Sequence, residues 1–99
     1  MSKLFYEYSD DKNKLLIEER NISFEEIIAA LNNNQLLDIV KRPNKGKHPN
    51  QKAYAVQVNN YVYLVPFVKK DKETIFLKTI FPSRKAKKQY MKSEVDYEE

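Results

Sequence analysis

Residues 74–92, TIFLKTIFPSRKAKKQYMK, join an apolar strand pattern to a basic segment. The strand pattern stops at Pro82, because proline has no backbone N–H to donate to a ladder. Ser83 is a favourable N-cap, since its hydroxyl can accept a hydrogen bond from an amide of the next turn. We therefore predict a helix from about Arg84 to Met91, which brings a group of cations to the surface.

The first turn of this helix holds Arg84 and Lys85 and no carboxylate. Cations near a helix N-terminus oppose the helix dipole and cost about 0.3–1 kcal/mol each. Their presence favours an anionic partner, and surface solvation is the alternative explanation.

The composition describes one small domain, predicted over residues 1–92, because 99 residues with 41% hydrophobic content can bury a single core. The chain has no cysteine, which excludes disulfides and thiolate metal sites and agrees with a reducing cytoplasm. No segment approaches the roughly 20 apolar residues that cross a bilayer, so we expect a cytoplasmic protein without a membrane partner. A single glycine rules out a Gly-rich phosphate loop.

Charge is distributed very unevenly along the chain. Residues 1–40 contain four cations and eight acids, whereas residues 41–92 contain fourteen Lys and Arg and only two acids, a net charge of +12. Such a segment indicates a nucleic-acid partner, because neutralising phosphates releases counterions. The alternative is a lysine-rich solvated surface. Residues 93–99, SEVDYEE, contain four acids and no cation and are predicted to be a disordered tail.

Two helices are predicted before the basic segment. The first begins at Ser9 or Asp10 and stops near Arg20. The second has Ser23 at its N-cap and Glu26 three residues later, which together make a capping box. Its apolar residues recur at i, i+3, i+4 and i+7, the spacing of a helix face that packs on a core. These residues are Phe24, Ile27, Ile28 and Leu31.

Residues 53–58 and 61–68 have strand patterns and are separated by Asn59-Asn60. Asparagine tolerates the positive φ of a two-residue primed turn, so these segments are predicted to form a hairpin. Pro66 predicts a bulge or an unpaired edge within the second strand.

Further strands are predicted at 36–40 and 74–81, with a short strand or extended arm at 4–8. Helices followed by strands are typical of the α+β class. The predicted fold has two N-terminal helices, an antiparallel sheet of about four strands and a short basic helix at the C-terminal end.

Two motifs resemble the BrnT family of bacterial toxins, part of the RelE-like group of small ribonucleases. They are NISFEE at 21–26 and SRKA at 83–86, which leads to Tyr90; the resemblance covers about residues 5–91. It implies a RelE-like fold and an RNA-cleaving toxin of a type II toxin–antitoxin pair. It also implies a cognate antitoxin, typically with a ribbon-helix-helix domain, that binds and neutralises the toxin.

Two positions depart from the family pattern. Arg20 lies where many members have a histidine, and Gln89 lies where many have a glutamate. No acid or base role is therefore assigned to either position.

RNA cleavage without a metal requires an activated 2′-oxygen, a stabilised phosphorane and a protonated leaving group. Arg84 and Lys85 can stabilise the phosphorane charge. Tyr90, close to several lysines, could have a lowered pKa and act as a base, could stack on a nucleobase, or could pack the helix on the sheet. His48, the only histidine, is a candidate general acid or a solvated loop residue.

Other cations are candidates for phosphate contacts. They are Arg42, Lys47, Lys52, Lys87 and Lys88. Four aromatic residues could stack on unpaired bases or belong to the core: Tyr54, Tyr61, Tyr63 and Phe67. No cofactor or metal is expected, because no His/Asp/Glu cluster accompanies the missing cysteines. A toxin ribonuclease is favoured, with a non-catalytic RNA- or DNA-binding module and a protein-interaction domain as alternatives.

Overall fold

The computed structural model describes residues 4–41 and 52–90. None of the helices in these two ranges is both long enough and apolar enough to cross a membrane. The elements are, in chain order, β1 (Phe5–Glu7), α1 (Asp10–Arg20), α2 (Phe24–Asn32), β2 (Leu36–Lys41), β3 (Lys52–Val58), β4 (Tyr61–Lys69), β5 (Thr74–Leu77), β6 (Phe81–Pro82) and α3 (Arg84–Tyr90).

The predicted α+β class and the three predicted helices are confirmed. The sheet has six strands in the order β1-β5-β4-β3-β2, with β6 also pairing with β4, so the prediction of about four strands was too low. The strand predicted at 74–81 is divided into β5 and β6, and the N-terminal arm is a strand. Because β1 runs parallel to β5, with Phe5 opposite Thr74, the sheet is mixed and not antiparallel throughout.

Left-handed asparagines make the tight turns of this glycine-poor chain. The hairpin turn between β3 and β4 has positive φ at both central residues, 51° at Asn59 and 69° at Asn60, which confirms the predicted primed turn. Asn21, with φ 56°, ends α1 and donates its backbone N–H to the Ile17 carbonyl at 3.1 Å. Asparagine is suited to these positions because its short polar side chain lowers the cost of positive φ.

Pro66 lies where β4 changes its neighbour. Between the pairs Phe67–Leu77 and Leu64–Phe81, two residues of β4 lie opposite the three residues 78–80. The ladder is interrupted there, and the Lys78 N–H donates to the Pro66 carbonyl at 2.8 Å. The ladder is thus interrupted at Pro66, but the extra residue lies in the segment 78–80 between β5 and β6 and not in β4, where the bulge was predicted.

The main core lies between the sheet and helices α1 and α2. The predicted apolar face of α2 is in this core: Phe24 and Ile27 are fully buried, and Ile28 and Leu31 are half-buried. Buried side chains of α1 and of the sheet complete the cluster, including Leu16, Val56, Val58, Val65, Leu77 and Ile80.

The corner between α1 and α2 is held by Asn13, a buried polar residue of α1. Its side-chain oxygen accepts from the Phe24 N–H at 2.7 Å, and its amide donates to Glu25 Oε1 at 3.3 Å. Ser23 is the N-cap of α2 as predicted, since its Oγ accepts from the Glu26 N–H at 3.1 Å. Two residues from different parts of the chain thus satisfy the first amides of α2.

Asn13→Ala is expected to lower the free energy of unfolding by about 1–2 kcal/mol. The buried Phe24 N–H would lose its acceptor, at a cost of about 1–3 kcal/mol, and the better helix propensity of alanine would return up to ~0.7 kcal/mol. Urea unfolding measures the change. Asn32→Ala, the same replacement at an exposed helix residue, should have little effect. Equal losses in the two variants would contradict the capping role.

The opposite face of the sheet carries α3. Ala55 and Val62 of the sheet and Ala86 of α3 form a second buried cluster, with Leu64 and Tyr90 packed against it. Small side chains on both sides allow the short helix to lie close to the sheet. The helices therefore cover both faces of the sheet, with α1 and α2 on one and α3 on the other.

Candidate functional site

Helix α3 is attached to the sheet by Ser83, the residue that precedes it. The Ser83 N–H donates to the Val62 carbonyl at 3.0 Å, and the Ser83 hydroxyl accepts from the Ala86 N–H at 3.1 Å. This confirms Ser83 as the N-cap. Ala86 and Tyr90 pack against the sheet, whereas Arg84, Lys85 and Lys88 are exposed.

Four of the seven residues of α3 are cations, and none is an acid. Arg84, Lys85 and Lys88 are exposed, and Lys87 is half-buried with its Nζ 5.1 Å from the centre of the Tyr61 ring. Within the two described ranges the single ion pair joins Lys70 to Glu7, so no described acid neutralises a cation of α3. The helix therefore presents four positive charges that no acid in residues 4–41 and 52–90 pairs with.

A cleft of about 250 Å³ opens beside α3, between the helix and the sheet. Its apolar wall is made by Val40, Leu64 and Ala86, and its polar lining by Ser83, Lys85, Gln89 and Tyr90. The structure thus brings two of the predicted catalytic residues, Lys85 and Tyr90, to one cleft. Arg84 lies on the same helix but does not line it.

Tyr90 donates a hydrogen bond from its hydroxyl to Oδ2 of Asp38, at 2.7 Å. This hydrogen bond, together with partial burial and the negative charge of Asp38, raises the pKa of Tyr90 above its ordinary value of 10.0. The expectation that nearby lysines lower this pKa was therefore wrong. Tyr90 is protonated at neutral pH, which makes it a hydrogen-bond donor and excludes it as a base there.

Replacing Asp38 with asparagine should bring the Tyr90 pKa down towards 10. The variant loses the charged acceptor that favours the protonated phenol, so the tyrosinate forms at lower pH. A ¹³C NMR titration of the tyrosine ring carbons, assigned with Tyr90→Phe, would measure the shift. An unchanged or higher Tyr90 pKa would contradict the role of this hydrogen bond.

Asp38 is the residue of this site that the sequence analysis missed. It belongs to β2, and its other oxygen, Oδ1, accepts from the Ile39 N–H at 2.8 Å. The sequence pattern that could have pointed to Asp38 is a single aspartate among aliphatic residues, in the segment LLDIV at 36–40. That pattern indicates a strand with one polar position, but it does not identify a partner 52 residues away.

Lys52 is not part of the basic group on α3. It lies in β3 opposite Lys41 of β2, and alternation along the strand places it on the same face as Tyr54, which packs under α2. Like charges directly opposite each other in a sheet are destabilising.

Several predicted features lie outside the described residues. They are Arg42, Lys47, His48, Met91 and the acidic tail at 93–99.

The core alternative holds for three of the four sheet aromatics. Tyr54 is 5% exposed and stacks on Phe67, with ring centres 4.1 Å apart, in the cluster under α2. Burial raises the pKa of Tyr54 to about 12, with a smaller contribution from Tyr6. Tyr63 also packs against this cluster, whereas Tyr61 contacts Lys87 of α3.

The two positions that depart from the BrnT pattern have different surroundings. Arg20, at the end of α1, donates from Nη1 to the Ile80 carbonyl at 2.8 Å and so ties α1 to the segment between β5 and β6. Gln89 lines the cleft beside α3. Arg20 has a structural contact, and Gln89 is placed to contact a ligand.

Comparison with protein families found no family model that matches this chain, and no curated protein matches it. The resemblance to BrnT toxins therefore remains a prediction from short motifs. Within residues 4–41 and 52–90, no group of three or more His, Asp or Glu side chains could hold a metal ion.

Proposed function

We propose that this chain is the toxin of a type II toxin–antitoxin pair, a cytoplasmic, metal-independent endoribonuclease that blocks translation. In this proposal a cognate antitoxin with a ribbon-helix-helix domain neutralises it as a hetero-oligomer. The observation that carries the proposal is the basic helix α3, with four cations and no acid, directly beside a cleft. The NISFEE and SRKA motifs support the assignment to a RelE-like ribonuclease.

Single-stranded RNA suits this surface better than duplex DNA. The bases of a duplex are stacked and paired, whereas an unpaired base can leave the strand and enter a cleft with an apolar wall. Lys85 lines the cleft, and Arg84 and Lys88 are exposed on the same helix without lining it. A base in the cleft would therefore have its phosphates near at least one of these cations.

The division of catalytic roles follows from charge and protonation. Arg84 offers a planar, two-pronged donor that suits a phosphorane, and Lys85 adds a second positive charge at the cleft. Tyr90, with its raised pKa, serves as a donor that orients a group in the cleft. Proton transfer is left to His48, the only imidazole in the chain.

A non-catalytic RNA-binding protein is the second candidate, and one observation favours it. The described residues that line the cleft include no carboxylate and no imidazole, and the pKa of Tyr90 is raised, so that Tyr90 is no base at neutral pH. Binding would then use the same cations without cleavage. Product analysis separates the candidates, since this class of cleavage leaves a 2′,3′-cyclic phosphate.

Affinity for single-stranded RNA is expected to fall steeply as salt rises. Each neutralised phosphate contributes about −0.7 to the slope of log affinity against log salt concentration. Lys88→Ala should make the slope shallower by about 0.7, whereas Lys14→Ala, an exposed lysine of α1, should leave it unchanged. Fluorescence anisotropy with a labelled oligonucleotide measures both. A flat salt response of the wild type would exclude RNA as the partner.

A further inference from the structure

Asp38 places one carboxylate next to α3, a helix that contains four cations and no acid. Its strand neighbour on the same face, Val40, lines the cleft, and its hydrogen-bond partner, Tyr90, lines it as well. The Tyr90 hydroxyl and the Ile39 N–H each donate to one carboxylate oxygen, at 2.7 and 2.8 Å. These two hydrogen bonds hold Asp38 in a defined position beside Tyr90, although Asp38 itself does not line the cleft.

The Asp38 carboxylate can accept further hydrogen bonds from a ligand. An ionised carboxylate can accept about four hydrogen bonds, and the protein uses one on each oxygen of Asp38. Asp38 is an exposed residue, so its carboxylate is not enclosed by the protein. A ligand that offers two adjacent N–H groups could bind both oxygens at once.

We propose that the cleft beside α3 binds an unpaired guanine and that Asp38 recognises its Watson–Crick edge. The N1–H and N2–H of guanine donate to the two carboxylate oxygens, and the ring lies against Val40 and Leu64. The inference rests on the proposed RNA-binding function and specifies its base preference.

The other bases lack the required pattern of donors. Adenine and cytosine each place one amino group beside a ring nitrogen acceptor, which a carboxylate repels. Uracil has one N–H flanked by two carbonyl oxygens. Guanine alone presents two neighbouring donors on this edge, and proteins read unpaired bases on their Watson–Crick edges.

The size of the cleft agrees with a single nucleoside. Its volume of about 250 Å³ lies just below the roughly 300–1,000 Å³ of pockets for drug-sized ligands. Gln89, on the same cleft, adds an amide that can donate to or accept from the remaining polar atoms of the base. One carboxylate on a basic surface weakens phosphate binding in general, so a role in base selection accounts for its position.

The test compares four pentanucleotides, UUGUU, UUAUU, UUCUU and UUUUU, by fluorescence anisotropy. All carry 2′-fluoro sugars, because cleavage requires the 2′-hydroxyl that they lack. The wild type should bind UUGUU about tenfold more tightly than the others, the range expected for a bidentate contact to a base. Inosine at the central position, which lacks the N2 amino group, should lose most of that preference.

Asp38→Asn distinguishes recognition of guanine from the general effect of negative charge on RNA binding. Removing the negative charge should strengthen binding to UUAUU while the guanine preference falls below about twofold, since the amide offers one acceptor and repels one donor. Asp11→Asn makes the same change at an exposed position in α1 and should keep the full preference. Circular dichroism establishes that both variants are folded.

The outcomes distinguish the two proposals. Equal binding of all four oligonucleotides with a steep salt dependence would overturn guanine recognition and leave RNA binding in place. A guanine preference that survives Asp38→Asn would also overturn it. No binding to any oligonucleotide would overturn both the base preference and the RNA-binding function.

Discussion

Arg84→Ala is expected to slow RNA cleavage by about a hundred- to a thousandfold and to abolish growth arrest by the unpartnered protein. Loss of one donor that stabilises transition-state charge typically has an effect of this size. The variant should remain folded, because Arg84 is exposed and surface replacements usually change stability by less than about 0.5 kcal/mol. Growth after induction and the yield of products with a 2′,3′-cyclic phosphate measure the effect.

Lys78→Ala is the matched control, since it also removes one positive charge. Lys78 lies in the segment between β5 and β6 and is not among the residues that line the cleft. It should weaken RNA binding slightly and leave cleavage nearly unchanged. Equal mild effects of the two replacements would contradict a catalytic role for Arg84 and favour the non-catalytic candidate. A wild type that neither arrests growth nor cleaves RNA would contradict the toxin proposal.

Phe24→Ala should have the largest effect on stability, a loss of about 3–5 kcal/mol in the free energy of unfolding. Phe24 is 0% exposed and stacks on Tyr8, with ring centres 4.9 Å apart. Its removal leaves a cavity between α2 and the sheet that the surrounding side chains can only partly fill. Because small domains are stable by about 5–15 kcal/mol, much of the variant should unfold on mild heating.

Phe5→Ala provides the comparison for this core replacement. Phe5 is 56% exposed in the edge strand β1, so its truncation should cost far less than that of Phe24. Urea unfolding of both variants gives the two free energies. If Phe24→Ala proved as mild as Phe5→Ala, the described core would be wrong.

Local signals in the sequence were sufficient where the structure depends on neighbouring residues. The N-caps at Ser23 and Ser83, the apolar face of α2 and the asparagine turn between β3 and β4 all involve residues within a few positions of each other. The causes are hydrogen bonds to nearby amides, the helical spacing of apolar residues and the tolerance of asparagine for positive φ. These local preferences do not depend on distant parts of the chain, so the sequence by itself determines them.

The basic character of α3 was also determined by sequence alone, because charge is a property of composition. Whether these cations can act together at one site depends on the residues packed around α3, and the tertiary structure decides that packing. Ala86 and Tyr90 pack on the sheet, and a cleft opens beside Lys85. A single sequence does not specify which face of the sheet a short helix will cover.

The remaining features of the fold and of the site depend on contacts between residues far apart in the sequence. The parallel pairing of β1 with β5 brings together residues 5 and 74, and the contact of Tyr90 with Asp38 spans 52 positions. That contact reversed the expected direction of the Tyr90 pKa shift, since the hydrogen bond to Asp38, burial and the charge of Asp38 all raise the pKa. Such contacts depend on the register of strands and on the packing of a helix across them, which only the folded chain establishes.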